Sequence, residues 1–176
     1  SPGTFTNVTG SIDPQPCSPG TYQPVSAATS CIDCLSGTFN SEFKQSACKP
    51  CPVGKYTQLN GSITCLSCQA GSVQSQTGQT SCIDCLSGTF SSTIEQTQCQ
   101  PCLIGTAEPS NGSISCPNCI PGSYQDLPQQ TTCKSCPLGT FTSSYGQGSC
   151  QLCSPGFYMN ITNSTSCFQC PQGTYQ

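Results

Sequence analysis

The chain has 176 residues, 19 of them cysteine, with no His, Trp or Arg. Charged residues make up 6% and the net charge is −3, so there is no basic patch for nucleic acid and no like-charge tail. Hydrophobic residues, cysteines included, reach only 34%, too few for one large core, and no apolar run approaches the ~18 residues that span a membrane.

The first sixteen residues read as a partial module. Gly3 and Phe5 stand in the phase of later modules, but Pro14 occupies a cysteine position, so residues 1–16 are expected to lack a disulfide. From Cys17 to Cys170 the gaps between cysteines alternate 14 and 3. Each unit reads C-x-x-G, then an aromatic two residues later, then a variable loop and the closing cysteine. Residues 17–169 thus form nine tandem 17-residue modules, and 170–176 begin another that is truncated. Such recurrence is the signature of a repeat architecture.

Gly20, Gly37, Gly54, Gly71, Gly88, Gly105, Gly122, Gly139, Gly156 and Gly173 hold one phase. That repetition predicts a left-handed turn residue or a close backbone approach that a Cβ would block. Phe5, Tyr22, Phe39, Tyr56, Phe90, Tyr124, Phe141, Tyr158 and Tyr175 follow two residues behind, with Val73 and Ala107 as exceptions. Each ring is expected to pack on its own disulfide or its neighbour's. Gly, Pro, Ser and Asn interrupt every helical pattern. The expected fold is therefore a small disulfide-rich tandem repeat. It is an elongated rod or solenoid of short β strands and turns with little or no helix, each module touching mainly its neighbours.

A longer period lies over the first. TSCIDCLSGTF occurs at 29–39 and again at 80–90, and Asn60-Gly-Ser-Ile recurs at Asn111, both 51 residues apart. Three modules make one super-repeat.

Connectivity is not fixed by sequence. Pairing Cys17 with Cys31, Cys34 with Cys48 and so on to Cys153 with Cys167 leaves only Cys170 over. Closing each C-x-x-C on itself orphans Cys17, because Pro14 replaces its partner. The first scheme is simpler, and a crossed 17-apart scheme stays open. In the first, each loop is worth ~3 kcal/mol in the chain-entropy model.

The unit C-P-x-G-x-[YF]-x8-C, clearest at Cys51–Cys65 and Cys136–Cys150, resembles the ephrin-receptor-like cysteine-rich repeat. It also resembles the first small module of tumour-necrosis-factor-receptor cysteine-rich domains. The resemblance covers nearly the whole chain and implies bonded pairs Cys17–Cys31, Cys34–Cys48, Cys51–Cys65, Cys68–Cys82, Cys85–Cys99, Cys102–Cys116, Cys119–Cys133, Cys136–Cys150 and Cys153–Cys167. Receptor domains alternate this module with others. Uniform arrays are similar to those of protist surface and fibrous glycoproteins.

Chemistry-bearing residues are few. The C-x-x-C spacing is also that of zinc ribbons and thiol redox motifs, but thiolates belong in reducing cells and many identical copies favour a scaffold. Without His, and with only seven scattered acids, no catalytic site, metal site or cofactor is expected. The candidate sites are N-glycosylation sequons at Asn7, Asn60, Asn111, Asn160 and Asn163, all in the loop between staples. The function expected is that of a structural subunit of an extracellular or cell-surface fibre, for example a ciliary or flagellar hair. It would self-associate through surfaces recurring every 51 residues and carry N-linked glycans. The alternative is the stalk or ligand-binding ectodomain of a surface receptor, which should break the repeat with an irregular aromatic or Arg-rich patch; none is present in the sequence.

Overall fold

A computed structural model describes residues 1–6 and 13–173. Among them there is no helix, and so none long and apolar enough to cross a membrane. Every strand is two residues long, and strands join two by two into antiparallel sheets. The chain divides into two compact units, Ser1–Ile83 with Thr93–Gln98, and Asp84–Ser92 with Cys99–Gln176. In the first, Thr4–Phe5 pairs with Gln15–Pro16, Thr21–Tyr22 with Ile32–Asp33, Thr38–Phe39 with Lys49–Pro50, and Lys55–Tyr56 with Leu66–Ser67. In the second, Thr89–Phe90 pairs with Gln100–Pro101, Ser123–Tyr124 with Lys134–Ser135, Thr140–Phe141 with Gln151–Leu152, and Phe157–Tyr158 with Phe168–Gln169.

The local cause is a tight turn after each opening cysteine. In Ser18-Pro19-Gly20-Thr21 the Thr21 amide donates to the Ser18 carbonyl at 3.0 Å, and Gly20 has φ +85°. Proline at the second position and a left-handed glycine at the third are the marks of a type II turn. The Thr21 hydroxyl donates to the same carbonyl at 2.8 Å, and Thr38, Ser72, Thr89, Thr106, Ser123 and Thr140 repeat that bond. The turn aims one short strand back along the module. A disulfide spanning 14 residues then holds the hairpin shut.

Nine such disulfides run from Cys17–Cys31 to Cys153–Cys167, with Cα atoms 5.6–5.8 Å apart. Hairpins this short are unstable alone, so the staples and the docking of modules supply the order. Cys170 is a free thiol, half-buried.

Docking reaches further than neighbours. Gly20 donates its amide to Asn40 O at 2.7 Å, Asn40 donates to Ser62 O at 3.1 Å, and Gly61 donates to Cys34 O at 2.7 Å. The second unit repeats the ladder, with Gly105 to Gln125 O (2.8 Å), Gln125 to Gln147 O (3.0 Å) and Gly146 to Cys119 O (2.9 Å). A Cβ built on Gly20 would stand 2.3 Å from Gly61 O, and one on Gly105 would stand 2.1 Å from Gly146 O. Within each unit, the modules of Gly20 and Gly105 therefore touch the next one and the one after that. Both expectations for the glycine hold at once: the turn needs φ > 0, and a carbonyl two modules on fills the space of a side chain.

In each unit the core is built on opening cysteines: Cys17, Cys34, Cys51 and Cys68 in the first, and Cys85, Cys102 and Cys136 in the second, are fully buried. The rings contribute less, since those of the described modules are only half-buried. A second buried set is polar: Gln23, Asn40, Thr57 and Gln74 in the first unit, and Ser91, Gln125 and Thr142 in the second. Its Gln and Asn members use their side-chain amides to satisfy nearby backbone groups. Gln23, Gln74 and Gln125 each donate Nε2 to the carbonyl seven residues on, at 2.6–2.8 Å, and accept from the amide two residues on. These glutamines lie 51 residues apart. The super-repeat is thus written into the interior as well as the surface, because a buried polar side chain must find partners and a Gln in this slot finds both.

Candidate functional site

The variable loop between staples is where the modules differ. It crests at a second left-handed residue in each module: Ala27, Lys44, Gly61, Gly78, Glu95, Gly112, Gln129, Gly146 and Asn163, with φ between 59° and 73°. Its amide reaches back to an opening cysteine, as Glu95 N does to Cys68 O at 2.9 Å and Asn163 N to Cys136 O at 3.0 Å. The loop crest is therefore the tooth by which one module seats on an earlier one. Non-glycine residues there carry ~1–2 kcal/mol of backbone cost. Glu95 gains local partners in return: Ser67 Oγ donates to it at 2.6 Å and Lys55 Nζ lies 2.9 Å away. Those two contacts, the serine's first, hold its carboxyl below the usual value.

The sequons sit on or beside this crest. Asn60 and Asn111 immediately precede the left-handed Gly61 and Gly112 and are exposed. Their Oδ1 atoms accept from the Ser36 and Ser87 amides, each at 2.8 Å. Asp33 and Asp84 stand against the same crests, within 3.8 Å and 3.7 Å of where a Cβ on Gly61 or Gly112 would lie. Asn160 is exposed, and Asn163 is exposed while serving as the crest residue itself. Asn7 lies outside the described residues. The crest position is hard to see in the sequence because only Gly10, Gly61, Gly78, Gly112 and Gly146 mark it by type. Their common phase was the available signal.

One position before the crest carries the 51-residue pattern in its plainest form. Ser26, Thr77 and Pro128 form one series; Phe43, Ile94 and Tyr145 a second; Asn60, Asn111 and Thr162 a third. Phe43, Ile94 and Tyr145 are 64%, 54% and 65% exposed. In the second unit two shallow apolar dimples also recur 51 residues apart. One, of about 230 Å³, is lined by Phe90, Leu103, Thr106, Ser115 and Cys116. The other, of about 260 Å³, is lined by Phe141, Ser154, Phe157, Ser166 and Cys167. A ring and the next module's closing cysteine face the same hollow in both.

Among the described residues no three Cys, Asp or Glu side chains converge where a metal could sit. The chemistry offered is that of exposed amides and hydroxyls on a rigid backbone.

No curated protein matches the chain. The family described as tyrosine-protein kinase ephrin type A/B receptor-like matches it over residues 3–43, 25–64, 54–95, 71–115, 105–146 and 122–166. The matches overlap, and each spans between two and three of the 17-residue modules, in keeping with docking that reaches two modules ahead. With the stapled hairpins, they make the chain a member of the ephrin-receptor-like cysteine-rich repeat family.

Proposed function

We propose that the chain is a structural segment of an extracellular, N-glycosylated fibre or surface appendage, such as a ciliary or flagellar hair. It assembles through module surfaces that recur every 51 residues. The observation that carries this reading is the position before the loop crest, where large side chains recur every third module (Phe43, Ile94, Tyr145) and Asn at two of the three places of another third (Asn60, Asn111, then Thr162). All five sequons (Asn7, Asn60, Asn111, Asn160 and Asn163) fall in every third module, and the exposed Phe43, Ile94 and Tyr145 fall in a different third. Sugar keeps one series of crests soluble and leaves another free for contact. Contacts that repeat without closing generate filaments. Nine disulfides and membership of this repeat family support an extracellular or surface location.

The test is negative-stain microscopy of native material beside a Phe43→Ser, Ile94→Ser, Tyr145→Ser variant. Filaments from the former and separate particles from the latter are expected. Separate particles from both would end the fibre reading. Intact mass before and after deglycosylation counts the sugars, and an unchanged mass removes the glycoprotein part. The family description favours a second reading, a receptor stalk. Capture of one discrete soluble ligand at sub-micromolar affinity by non-associating material is the result that selects it.

A further inference from the structure

Asn60-Gly61 and Asn111-Gly112 are the chain's two Asn-Gly pairs. An Asn-Gly pair is chemically restless. The glycine nitrogen, unshielded by a Cβ, attacks the asparagine Cγ. The new C–N bond closes a succinimide, the Cγ–Nδ2 bond breaks, and the proton from the glycine nitrogen leaves with ammonia. Water then opens the ring to an aspartyl or isoaspartyl residue.

The docked loop ties down both reacting groups. Gly61 N donates to Cys34 O at 2.7 Å, and Gly112 N to Cys85 O at 2.7 Å, so each nucleophile is held as a hydrogen-bond donor. Asn60 Oδ1 and Asn111 Oδ1 are held by the Ser36 and Ser87 amides, which stops Cγ from swinging over the glycine nitrogen.

We propose that these two pairs are latent succinimide-forming sites, held unreactive by docking onto the earlier module and released when that contact opens. Conversion is one-way. It places a carboxylate at residue 60 or 111 beside Asp33 or Asp84, whose carboxyl carbons lie within 3.8 Å and 3.7 Å of the adjacent glycine's Cβ site. Like charges oppose re-seating, and an isoaspartyl link adds a methylene to the backbone at the crest. An opened module is marked as opened. A glycan on Nδ2, as proposed above, takes the leaving group away, so the marking concerns copies without one; neither step needs a fibre.

The test uses the full chain with its nine disulfides formed, made without glycosylation and aged in mildly alkaline buffer. Peptide mapping reads deamidation at each pair separately. Folded chain is expected to react about 25-fold more slowly at both pairs than reduced, unfolded chain, the factor two hydrogen bonds of ordinary net strength supply. Ser36→Pro removes one N–H at a turn position where Pro19 already serves, and is expected to raise the rate at Asn60 about fivefold, one such bond, without changing Asn111. Ser87→Pro should do the reverse, and Ser36→Ala, which keeps the N–H, should change neither. Equal rates in folded and reduced chain overturn the proposal. So does Ser36→Pro accelerating both sites or neither.

Discussion

Gly122 and Gly112 are both left-handed glycines of the second unit, with φ of +85° and +73°, yet their surroundings differ. A Cβ on Gly122 would stand 2.4 Å from Asn163 O; on Gly112 its nearest neighbour is the Asp84 carboxyl carbon at 3.7 Å. The two cysteines of one staple differ in parallel. Cys136 is fully buried and its partner Cys150 half-buried. The disulfide closes a module but does not bury it. Burial comes from the crest of a module further along, and Gly122 is a notch that one such crest enters.

Four experiments test that contrast. Gly122→Ala should be the most damaging, because a left-handed penalty of ~1–2 kcal/mol adds to an overpacking cost of ~1–3 kcal/mol. Gly112→Ala should show the first cost alone. Native-state hydrogen exchange of the modules that open at Cys119 and Cys102 separates the two, and equal losses would refute the notch. Next come the staples. Removing Cys136–Cys150 as an alanine pair should cost ~3 kcal/mol, with about 1 kcal/mol more for the cavity at the buried Cys136, confined to one module. Limited proteolysis of that variant reads where the chain has loosened.

A smaller effect is expected in the buried polar set. Met159 fills the slot that Gln125 fills one super-repeat class away, and both are buried. Gln125→Met should leave Thr132 O and the Leu127 amide without their partner, at ~1–3 kcal/mol, measured by exchange at Leu127. The smallest effect belongs to the exposed Asp126–Lys134 pair. The Lys134 hydrogen bond lowers the Asp126 pKa below its ordinary 3.8, and the Asp126 bond raises that of Lys134 above its ordinary 10.5. A depressed carboxyl stabilises above its ordinary value and loses that contribution as pH falls through the depressed one. A raised ammonium stabilises below its ordinary value and loses it as pH rises through the raised one. Asp126→Asn should therefore lower stability slightly at neutral pH, where the pair contributes, and leave both the acid and the alkaline extremes unchanged, so that the profile flattens, by thermal unfolding across pH.

What could be read from the sequence was what the chain decides locally. The 14-residue loop, the turn at Gly20 and its equivalents, and the two-residue strands all arise within one module. The wider docking was not legible. Its partners lie 20 to 41 residues apart, and the crest tolerates Ala27, Lys44, Glu95 and Gln129 as well as glycine, because it is held by backbone groups that every residue has. The 51-residue period was visible but was assigned to the surface. Gln23, Gln74 and Gln125 were there to be seen, yet a polar side chain gives no sign of burial until its partners are known. Asn60 and Asn111 were singled out as sugar acceptors, while their hold on the Ser36 and Ser87 amides depends on a contact 24 residues away.

The notch at Gly20 also sets an order of events for a chain that emerges from its N-terminus. A staple can close as soon as its second cysteine appears, 14 residues behind the first. The carbonyl that covers Gly20 belongs to Gly61, 30 residues after Cys31, so the same module is seated only after 30 more residues have followed. Oxidation can run ahead of docking by about two modules. Over that interval each hairpin is already closed but still open to enzymes working on the nascent chain, including those that would add sugar at the crests.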